Sequence, residues 1–455
     1  MDTREILLID AASRAASYLA ELDNLPVGPS ESAVQTLKAF AQPFPEHPTD
    51  PAHILAELDE AGRIAAVSNA GGRYFGFVCG GTVPAALAAG VLVSAWDQNA
   101  GLYVASPIAA ELEQVALDWV VEVLGLPDGT AGGVVTGATM ANFTGLAAAR
   151  HALLERAGWD VEANGLFGAP ELRVVVGQEV HASLLKVLAL LGLGRDRVIR
   201  VAADAQGRMR ADALPNLDER TILCIQAGNV NTGAFDPAGE LCSKAHAAGA
   251  WVHVDGAFGL WAAASQKYAH LAAGFELADS WATDGHKWPN VGYDCGIALV
   301  REPKHLTAAM GISATYLQTS VGRDPALFTP ESSRRARGIE LWAALKSLGR
   351  SGLTDLIGRT CSHAQRFADG LKDAGYSILN EVVINQVLVS FGEPEVTRGV
   401  IAQVQRDGTC WCGGTVWQGQ TAMRISVSSW VTSNADVERS LAAILDIAGR
   451  VSSRS

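Results

Sequence analysis

Residues 251–259 read WVHVDGAFG, an apolar run that ends in an aspartate and a glycine-containing turn. Four more short runs, rich in β-branched residues and bounded by glycine, occur at 132–137, 172–177, 221–228 and 295–302. Helical stretches such as ANFTGLAAARHALLERAG lie between the runs. Strands that alternate with helices predict a mostly parallel sheet with helices on both faces. This part of the chain is therefore predicted to have an α/β fold.

The chain on either side of the alternating region has a different character. Residues 1–65 are charged and helical in pattern, with a proline-rich break at 43–51, and predict an N-terminal arm. The large domain is expected to cover 66–330. Gly, Ser, Pro and four arginines interrupt the pattern at 308–337, which predicts a long surface loop that is mobile. Helices and strands in 331–455 predict a small C-terminal α+β domain.

Composition and charge restrict the function classes. The 455 residues are 49% hydrophobic and 18% charged, which is typical of a globular protein with a large core. The formal net charge is −13 and no basic run stands out, so neither nucleic acid nor an anionic membrane is an expected partner. The uncharged stretch 75–96 is long enough to span a bilayer, but its glycines, its proline and its lack of cationic flanks favour a buried segment.

The N-terminus and the cysteines indicate the compartment. The first 22 residues are typical of an amphipathic helix. They lack the order of basic, then apolar, then small residues that characterises a signal peptide. The seven cysteines are scattered and odd in number, which favours reduced core thiols in a cytoplasmic protein. Cys410 and Cys412 lack a second Cys or His pair at zinc spacing, so no metal site is predicted.

Lys287 is the first candidate for chemistry. It follows the apolar run ADSWAT and lies between His286 and Trp288, at the predicted rim of the sheet where ligands of α/β folds bind. A lysine amine held in such a site can act as a nucleophile toward a carbonyl. The alternative is a structural lysine whose ammonium group reaches the solvent.

Three further candidates follow predicted strands. Asp255 ends an apolar strand, where a carboxylate either caps a turn or keeps a pyridine nitrogen protonated. The turn 136–139 lies between a strand and a helix, where backbone N–H groups can bind a phosphate, although such a turn alone decides nothing. His181 follows the strand at 172–177, where a histidine either satisfies local hydrogen bonds or stacks over an aromatic cofactor.

A phosphate turn, a histidine, an aspartate and a lysine in this order resemble the pyridoxal-phosphate-dependent amino-acid decarboxylases of the aromatic-L-amino-acid and glutamate decarboxylase type. The resemblance extends from about residue 70 to 435. The motifs that carry it are YFGF (74–77), SPIAAELE (106–113), HVDGAFG (253–259), HKW (286–288), YDCG (293–296) and MRISVSS (423–429). It implies the aspartate aminotransferase fold (PLP fold type I). In that fold a large domain has a mostly parallel seven-stranded sheet flanked by helices, and a small C-terminal α+β domain follows.

The resemblance also implies roles around the cofactor, pyridoxal 5'-phosphate. Lys287 would carry the cofactor as a Schiff base, and Asp255 would meet the pyridine nitrogen. His181 would stack on the ring, and Ala257 would pack against the other face. The remaining contacts with the cofactor would come from the phosphate turn and nearby loops, through Gly137, Ala138, Thr139 and His286. Either Asn231 or Thr232 would lie near the ring or the substrate carboxylate.

Tyr316 bears on the type of reaction. Decarboxylases of this family place a tyrosine on the loop after the Schiff-base lysine as a proton donor, and Tyr316 in SATYL stands at the matching place. The alternative is a loop tyrosine that anchors a lid by its ring. In related aldehyde synthases a phenylalanine typically replaces this tyrosine, so Tyr316 favours simple decarboxylation.

Five positions depart from the family pattern. Gly72-Arg73 replaces a His-Pro pair, Ala138 replaces a serine, Val230 replaces a threonine, and Asp284 replaces an asparagine. An anion at position 284 is unfavourable beside a phosphate unless it points away. None of these positions is Lys287 or Asp255, so the departures concern the substrate more than the cofactor.

We therefore expect decarboxylation of an L-amino acid, with aromatic substrates slightly preferred, in a cytoplasmic homodimer with shared active sites. The alternatives on the same fold are an aldehyde synthase, a carbon–carbon lyase and an aminotransferase. A catalytically silent cofactor-binding protein is disfavoured because Lys287, Asp255 and Tyr316 are all present. A nicotinamide-dependent dehydrogenase is disfavoured because no predicted strand leads into G-x-G-x-x-G.

Overall fold

The computed structural model of the protein describes residues 2–311 and 322–453. The α-helices are α1 (Thr3–Glu21), α2 (Glu31–Thr36), α3 (Pro51–Ala65), α4 (Pro84–Trp96), α5 (Pro107–Val123), α6 (Ala138–Arg156), α7 (Val161–Asn164), α8 (Ala182–Leu190), α9 (Ala238–Ala247), α10 (Pro303–Met310), α11 (Arg337–Asp373, with a kink at Gly349), α12 (Pro394–Asp407) and α13 (Asn434–Ser452). The strands are β1 (Ala131–Val135), β2 (Arg173–Gly177), β3 (Ile199–Val201), β4 (Thr221–Gln226), β5 (Trp251–Asp255), β6 (Ser280–Asp284), β7 (Gly296–Val300), β8 (Ser377–Ile378), β9 (Gln386–Ser390), β10 (Gly413–Trp417) and β11 (Gln420–Ser426).

The larger sheet has seven strands in the order β1-β7-β6-β5-β4-β2-β3. Six strands run in one direction, because β7 alone is antiparallel to its two neighbours, β1 and β6. The mostly parallel seven-stranded sheet predicted from the sequence is confirmed. Five of the strands coincide with the glycine-bounded runs, whereas β3 has only three residues and leaves too short a pattern to be predicted.

The strands of this sheet are apolar on both faces because helices cover both faces. All five residues of β5, β6 and β7 are buried. Helix α6 is buried on nearly every side and is built from small residues, including Gly145 and the run 147–149. A helix that is apolar all round belongs in the core of a large domain, and α6 packs there against the sheet.

A second sheet has four strands in the order β10-β11-β9-β8. The pairs β10–β11 and β8–β9 are antiparallel, and α12 packs against β11 and α13. The expected small α+β region is therefore present in the C-terminal part of the chain.

The described chain divides into two compact units. One comprises the residues up to 81, together with 363–379 and the residues from 387 onward. The other comprises 82–362 and 380–386, and it contains β1–β7. The boundaries after residues 65 and 330 stay predictions.

Helix α1 confirms the predicted N-terminal helix. The prediction that the uncharged stretch 75–96 is buried is wrong for much of the 13-residue helix α4, in which Leu87, Val91, Leu92 and Trp96 are exposed and only Ala86, Ala89 and Val93 are buried. Within 2–311 and 322–453, no helix is both long enough and apolar enough to cross a bilayer. All seven cysteines are buried thiols.

The prediction of a long surface loop at 308–337 is wrong for much of its described part. Thr329 is 1% exposed and Arg334 is 5% exposed, so parts of this segment are buried, whereas Leu327 is 37% exposed. The reason is Glu113 on α5, a fully buried carboxylate that needs cationic partners. Arg334 Nη2 lies 2.9 Å from Glu113 Oε2, and Arg323 Nη1 lies 3.2 Å from Oε1. The predicted mobility of the segment stays a prediction.

Candidate active site

The carboxyl ends of the parallel strands meet at one edge of the large sheet, where ligands of α/β folds bind. A cavity of about 370 Å³ lies at this edge, which is large enough for a small cofactor. The predicted site residues that line it are Gly137, Ala138, Thr139, His181, Asp255, Ala257, His286 and Lys287. The structure thus brings together side chains from four strand ends that are far apart in sequence.

Lys287 follows β6 and projects into the cavity. Its Nζ atom lies 2.9 Å from Asp284 Oδ2 and 5.9 Å from the centre of the Phe258 ring. The side chain is 19% exposed, which disfavours the alternative of a structural lysine whose ammonium group reaches the solvent. The amine is therefore held beside the other candidates by an ion pair with the carboxylate three residues earlier.

Asp284 occupies the amino end of α6. Its Oδ1 atom accepts a hydrogen bond of 2.5 Å from the Ala138 amide, and the side chain is 2% exposed. A carboxylate is stabilised at this position by the helix dipole and by amides that have no partner within the helix. Asp284 thus does not point away, and a cofactor phosphate at this turn would compete with it for the Ala138 amide.

His286 lies beside the same turn. Its ring stacks on Tyr293 with 4.3 Å between centroids, and its Nε2 atom lies 3.6 Å from Asp284 Oδ2. Burial lowers the pKa of His286, so the ring is neutral at pH 7. The Nδ1 atom is buried without a hydrogen-bond partner among the described residues. A buried nitrogen of this kind is a position that a bound ligand can satisfy.

His181 makes local hydrogen bonds and also lines the cavity. It is the N-cap of α8, and its Nδ1 atom accepts a hydrogen bond of 3.2 Å from the Ser183 amide. The residue also lines the cavity, together with Ser183 and Gln226. With the Gln226 amide oriented to satisfy both of its atoms, its oxygen accepts from the His181 amide at 3.2 Å. Ser183 therefore holds the imidazole, and Gln226 holds the backbone of the same residue.

Asp255 is the buried carboxylate at the end of β5. It is 6% exposed, and burial raises its pKa, whereas His181, Lys287 and the Asn142 amide act to lower it. A buried carboxylate requires a cation or a hydrogen-bond donor for its charged form to be stable. A protonated pyridine nitrogen in the cavity would supply both.

A chain of buried hydrogen bonds leads from the sheet to Asp255. Trp251 Nε1 donates to Ser280 Oγ (2.9 Å), and Ser280 Oγ lies 2.8 Å from His253 Nδ1. His253 Nε2 lies 2.8 Å from Asn142 Oδ1, which is an acceptor, so the Nε2 atom carries the proton. Burial lowers the pKa of His253 to about 3, which keeps the ring neutral and leaves Nδ1 to accept from Ser280.

Asn142 links this chain to the carboxylate. Its Nδ2 atom is buried and makes no hydrogen bond to any described residue within the usual distance and angle. The Asn142 side chain nevertheless acts to lower the pKa of Asp255, so the two side chains are close to each other. The directions of the bonds follow from the two ends of the chain, because the indole nitrogen of Trp251 can only donate and the amide oxygen of Asn142 can only accept.

Two predicted site residues do not line the cavity. In the turn after β4, the amides of Asn231 and Thr232 donate to Asn229 Oδ1 at 2.9 and 3.3 Å. Thr232 is completely buried, and its hydroxyl group donates to Gln206 O at 2.7 Å. Their neighbour Val230 lines the cavity instead. Tyr316 lies outside the described residues.

Sequence reasoning missed several residues at the cavity, among them Gln226, Phe258 and Ser183. A glutamine at a strand end or a serine in the first turn of a helix has no distinctive signal. Asn142 had a recognisable signal in the sequence, because a polar residue in the otherwise apolar helix α6 requires a buried partner.

Residues 37–392 match the pyridoxal-dependent decarboxylase conserved domain. The chain belongs to this family. It is therefore a pyridoxal-phosphate enzyme and a carboxy-lyase. The described residues fit the cofactor in three respects. The cavity contains an amine and a buried carboxylate that could meet the ring nitrogen. The N-cap of helix α6 is Gly137, which has no side chain to cap the helix. Asp284 is the feature that fits less well.

Individual relatives differ in their substrates. Tryptophan decarboxylase 1 of Oryza sativa subsp. japonica is 28% identical over 399 residues, which cover 78% of this chain and 76% of that protein. L-2,4-diaminobutyrate decarboxylase of Rhizobium meliloti (strain 1021) is 30% identical over 383 residues, which cover 81% and 74%. The crystal structure of Oryza sativa TDC with PLP and tryptamine has a TM-score of 0.91 at 22% identity, over 99% of this chain and 98% of that chain. This last likeness establishes the fold type.

Proposed function

We propose that this decarboxylase converts an L-amino acid, with a slight preference for aromatic substrates, to its amine and carbon dioxide. The observation that carries the proposal is the charge of the cavity wall. Lys287 is already paired with Asp284, and no arginine is among the described residues that line the cavity. An acidic substrate side chain would need a second cation there, and burial without one is unfavourable.

A cationic substrate side chain is disfavoured by a related argument. The two carboxylates of the cavity wall are Asp255 and Asp284, and each already has a role in the site. Val230 and Phe258 add apolar surface, against which an aromatic ring can pack. The named relatives include both a tryptophan and a diaminobutyrate decarboxylase, so the cavity wall and not the family supports this preference.

The proposed roles of the residues follow from their positions. Lys287 binds the cofactor covalently, and Asp255 holds the proton on the ring nitrogen. His181 and Ala257 position the ring, while Gly137, Ala138, Thr139 and His286 hold the phosphate. When bound, the cofactor supplies an electron sink for the electron pair left by carbon dioxide. Tyr316 is proposed as the proton donor to Cα, and the roles of Asn231 and Thr232 stay predictions.

An absorbance spectrum before and after addition of amino acids tests the proposal. We expect a visible cofactor band that is lost in Lys287→Ala and kept in Lys267→Ala, because Lys267 lies outside the cavity. Amine and carbon dioxide should be released in equal amounts, with a higher kcat/KM for tryptophan and phenylalanine than for glutamate or 2,4-diaminobutyrate.

The other outcomes are equally specific. A cofactor band accompanied by ammonia, aldehyde or keto acid would replace decarboxylation with another reaction of the same fold. A higher kcat/KM for glutamate or diaminobutyrate would overturn the substrate preference alone. We also propose a homodimer with shared active sites, which sedimentation of the holoenzyme tests, and a monomeric active holoenzyme would contradict it.

A further inference from the structure

Helices α6 and α10 carry a cluster of three metal-binding side chains away from the cofactor cavity. His151 and Glu155 lie one turn apart on α6, and His305 lies on α10. One ligand atom from each residue can be chosen so that the three atoms lie within 4.8 Å of one another. Within 2–311 and 322–453, this is the one group of three or more such side chains with this property.

The distances in the cluster are close to those of a metal site. Glu155 Oε2 lies 3.6 Å from His151 Nε2 and 3.7 Å from His305 Nδ1. Ligand atoms of a tetrahedral zinc ion with bonds of about 2.0–2.1 Å lie about 3.4 Å apart. Glu155 is 60% exposed, so its side chain can make the small adjustment without disturbing the core.

His305 provides an independent indication of a ligand. Its side chain is 9% exposed, and its Nδ1 atom makes no hydrogen bond to any described residue although it is buried. This atom is directed toward Glu155, into the cluster. Buried polar atoms in folded proteins nearly always have a partner, so an unsatisfied nitrogen at this position calls for one.

Glu162 orients the second imidazole. Its Oε2 atom lies 2.7 Å from His151 Nδ1, which donates to the carboxylate. The lone pair of His151 is then on Nε2, the atom that faces Glu155. Metal-binding histidines are held in this way by a carboxylate behind the ring.

The surroundings leave room for an ion and its water. A cavity of about 440 Å³ is lined by His151, Glu155, Asp160 and Glu162 among others. Asp160 and Glu162 thus add negative charge near the cluster, while Glu155 is the carboxylate within it. Two arginines lie nearby, and both already have partners. Arg150 Nη2 lies 3.9 Å from Glu162 Oε1, and Arg156 Nη1 donates to Gly249 O at 3.1 Å.

We propose that His151, Glu155 and His305 bind a divalent transition-metal ion, with water in the open fourth position. Two imidazoles and one carboxylate form a donor set that suits zinc. Because the ligands come from two helices, the ion would add a link between α10 and α6, which already pack against each other.

Zinc binding by the tag-free holoenzyme tests the proposal. After chelator treatment and dialysis against micromolar zinc chloride, we expect one zinc per chain by elemental analysis. His151→Ala and His305→Ala should lose it. Glu155→Gln should also lose it and is the variant least able to perturb folding, since the side chain is exposed. Glu162→Gln should weaken binding by about 10- to 100-fold.

His246→Ala is the matched control. His246 also pairs with a carboxylate, Asp279 at 3.1 Å, but among the described residues it belongs to no group of three metal-binding side chains, so its loss should not change the zinc content. Absence of bound zinc in the wild-type protein overturns the proposal. Equal zinc content in the wild-type protein and in Glu155→Gln and His151→Ala overturns it as well.

Discussion

A carboxylate in the interior, such as Asp255, is stable in its charged form only where nearby groups compensate for lost water. In this protein a chain of buried side chains provides that compensation. It begins at Trp251 and continues through Ser280 and His253 to Asn142. Each of these side chains has one orientation that satisfies its neighbours. The chain therefore fixes the carboxylate before any ligand is bound, which lowers the cost of ordering the site.

The pH dependence of stability should reveal the state of His253. Its pKa is about 3 in the folded protein, against 6.5 for an exposed histidine, so the unfolded chain takes up a proton that the folded protein excludes. Stability should therefore fall as the pH decreases below 6.5, by about 1.4 kcal/mol per pH unit from this residue. His253→Gln should lose that part of the slope in urea unfolding curves between about pH 5 and pH 6.5.

His246→Gln is the control of opposite sign. The hydrogen bond with Asp279 raises the pKa of His246, so its contribution to stability is present at low pH and is lost as the pH rises. An unchanged slope in His253→Gln would mean that the folded protein binds a proton at this ring, and the proposed direction of the chain would be wrong.

At the scale of elements, glycines allow α6 and its neighbours to approach each other closely. A Cβ atom on Gly145 would lie 2.8 Å from His253 Cε1 and 3.1 Å from Nδ1. A Cβ atom on Gly296, at the start of β7, would lie 2.3–2.6 Å from the backbone of Gly137. The phosphate turn and the hydrogen-bonded chain thus depend on the absence of side chains at two positions.

Gly145→Ala should displace the His253 ring and destabilise the fold by about 1–3 kcal/mol, as expected for overpacking. The urea midpoint measures the loss, and cofactor affinity should fall because Asn142 and Asp255 lose their support. Gly358→Ala in α11 is the matched control, since its new Cβ atom would meet nothing within 4 Å. That change should be neutral or stabilising by up to about 1 kcal/mol. Equal effects of the two changes would contradict the packing argument.

At the scale of the whole molecule, buried charge joins segments that are far apart in the chain. Glu113 on α5 binds Arg323 and Arg334, and these arginines donate to backbone carbonyls of Gly132 and Val134 in β1. The cluster thus joins α5, the first strand of the sheet and the segment after residue 321. Removing one member leaves the other charges buried without compensation.

Glu113→Gln should cost about 3–5 kcal/mol of stability, because it leaves two buried guanidinium groups without their anion. Glu122→Gln on the same helix is the control. Glu122 also pairs with an arginine, Arg350, but both side chains are about two-thirds exposed. An exposed pair contributes about 0–1 kcal/mol, so little change is expected. Similar unfolding midpoints for the two variants would show that the buried cluster is not needed for stability.

The sequence by itself determined the class of fold and most of the cavity. Glycine-bounded apolar runs predicted the parallel strands, and parallel strands share the edge at which they end. Asp255, His181, Lys287 and the turn 136–139 each follow a strand, so their proximity was predictable without coordinates. The order of these residues also matched a known family, which the match over residues 37–392 confirms.

Only the tertiary structure decided which polar groups meet across long separations in the chain. It placed Asp284 on the Ala138 amide, turned Thr232 toward Gln206, and buried Arg334 against Glu113. It also brought His305 to the helix face of His151 and Glu155, where the sequence predicted no metal site. Local periodicity reports which face of an element is buried, but the partner of a buried charge is selected by packing between elements.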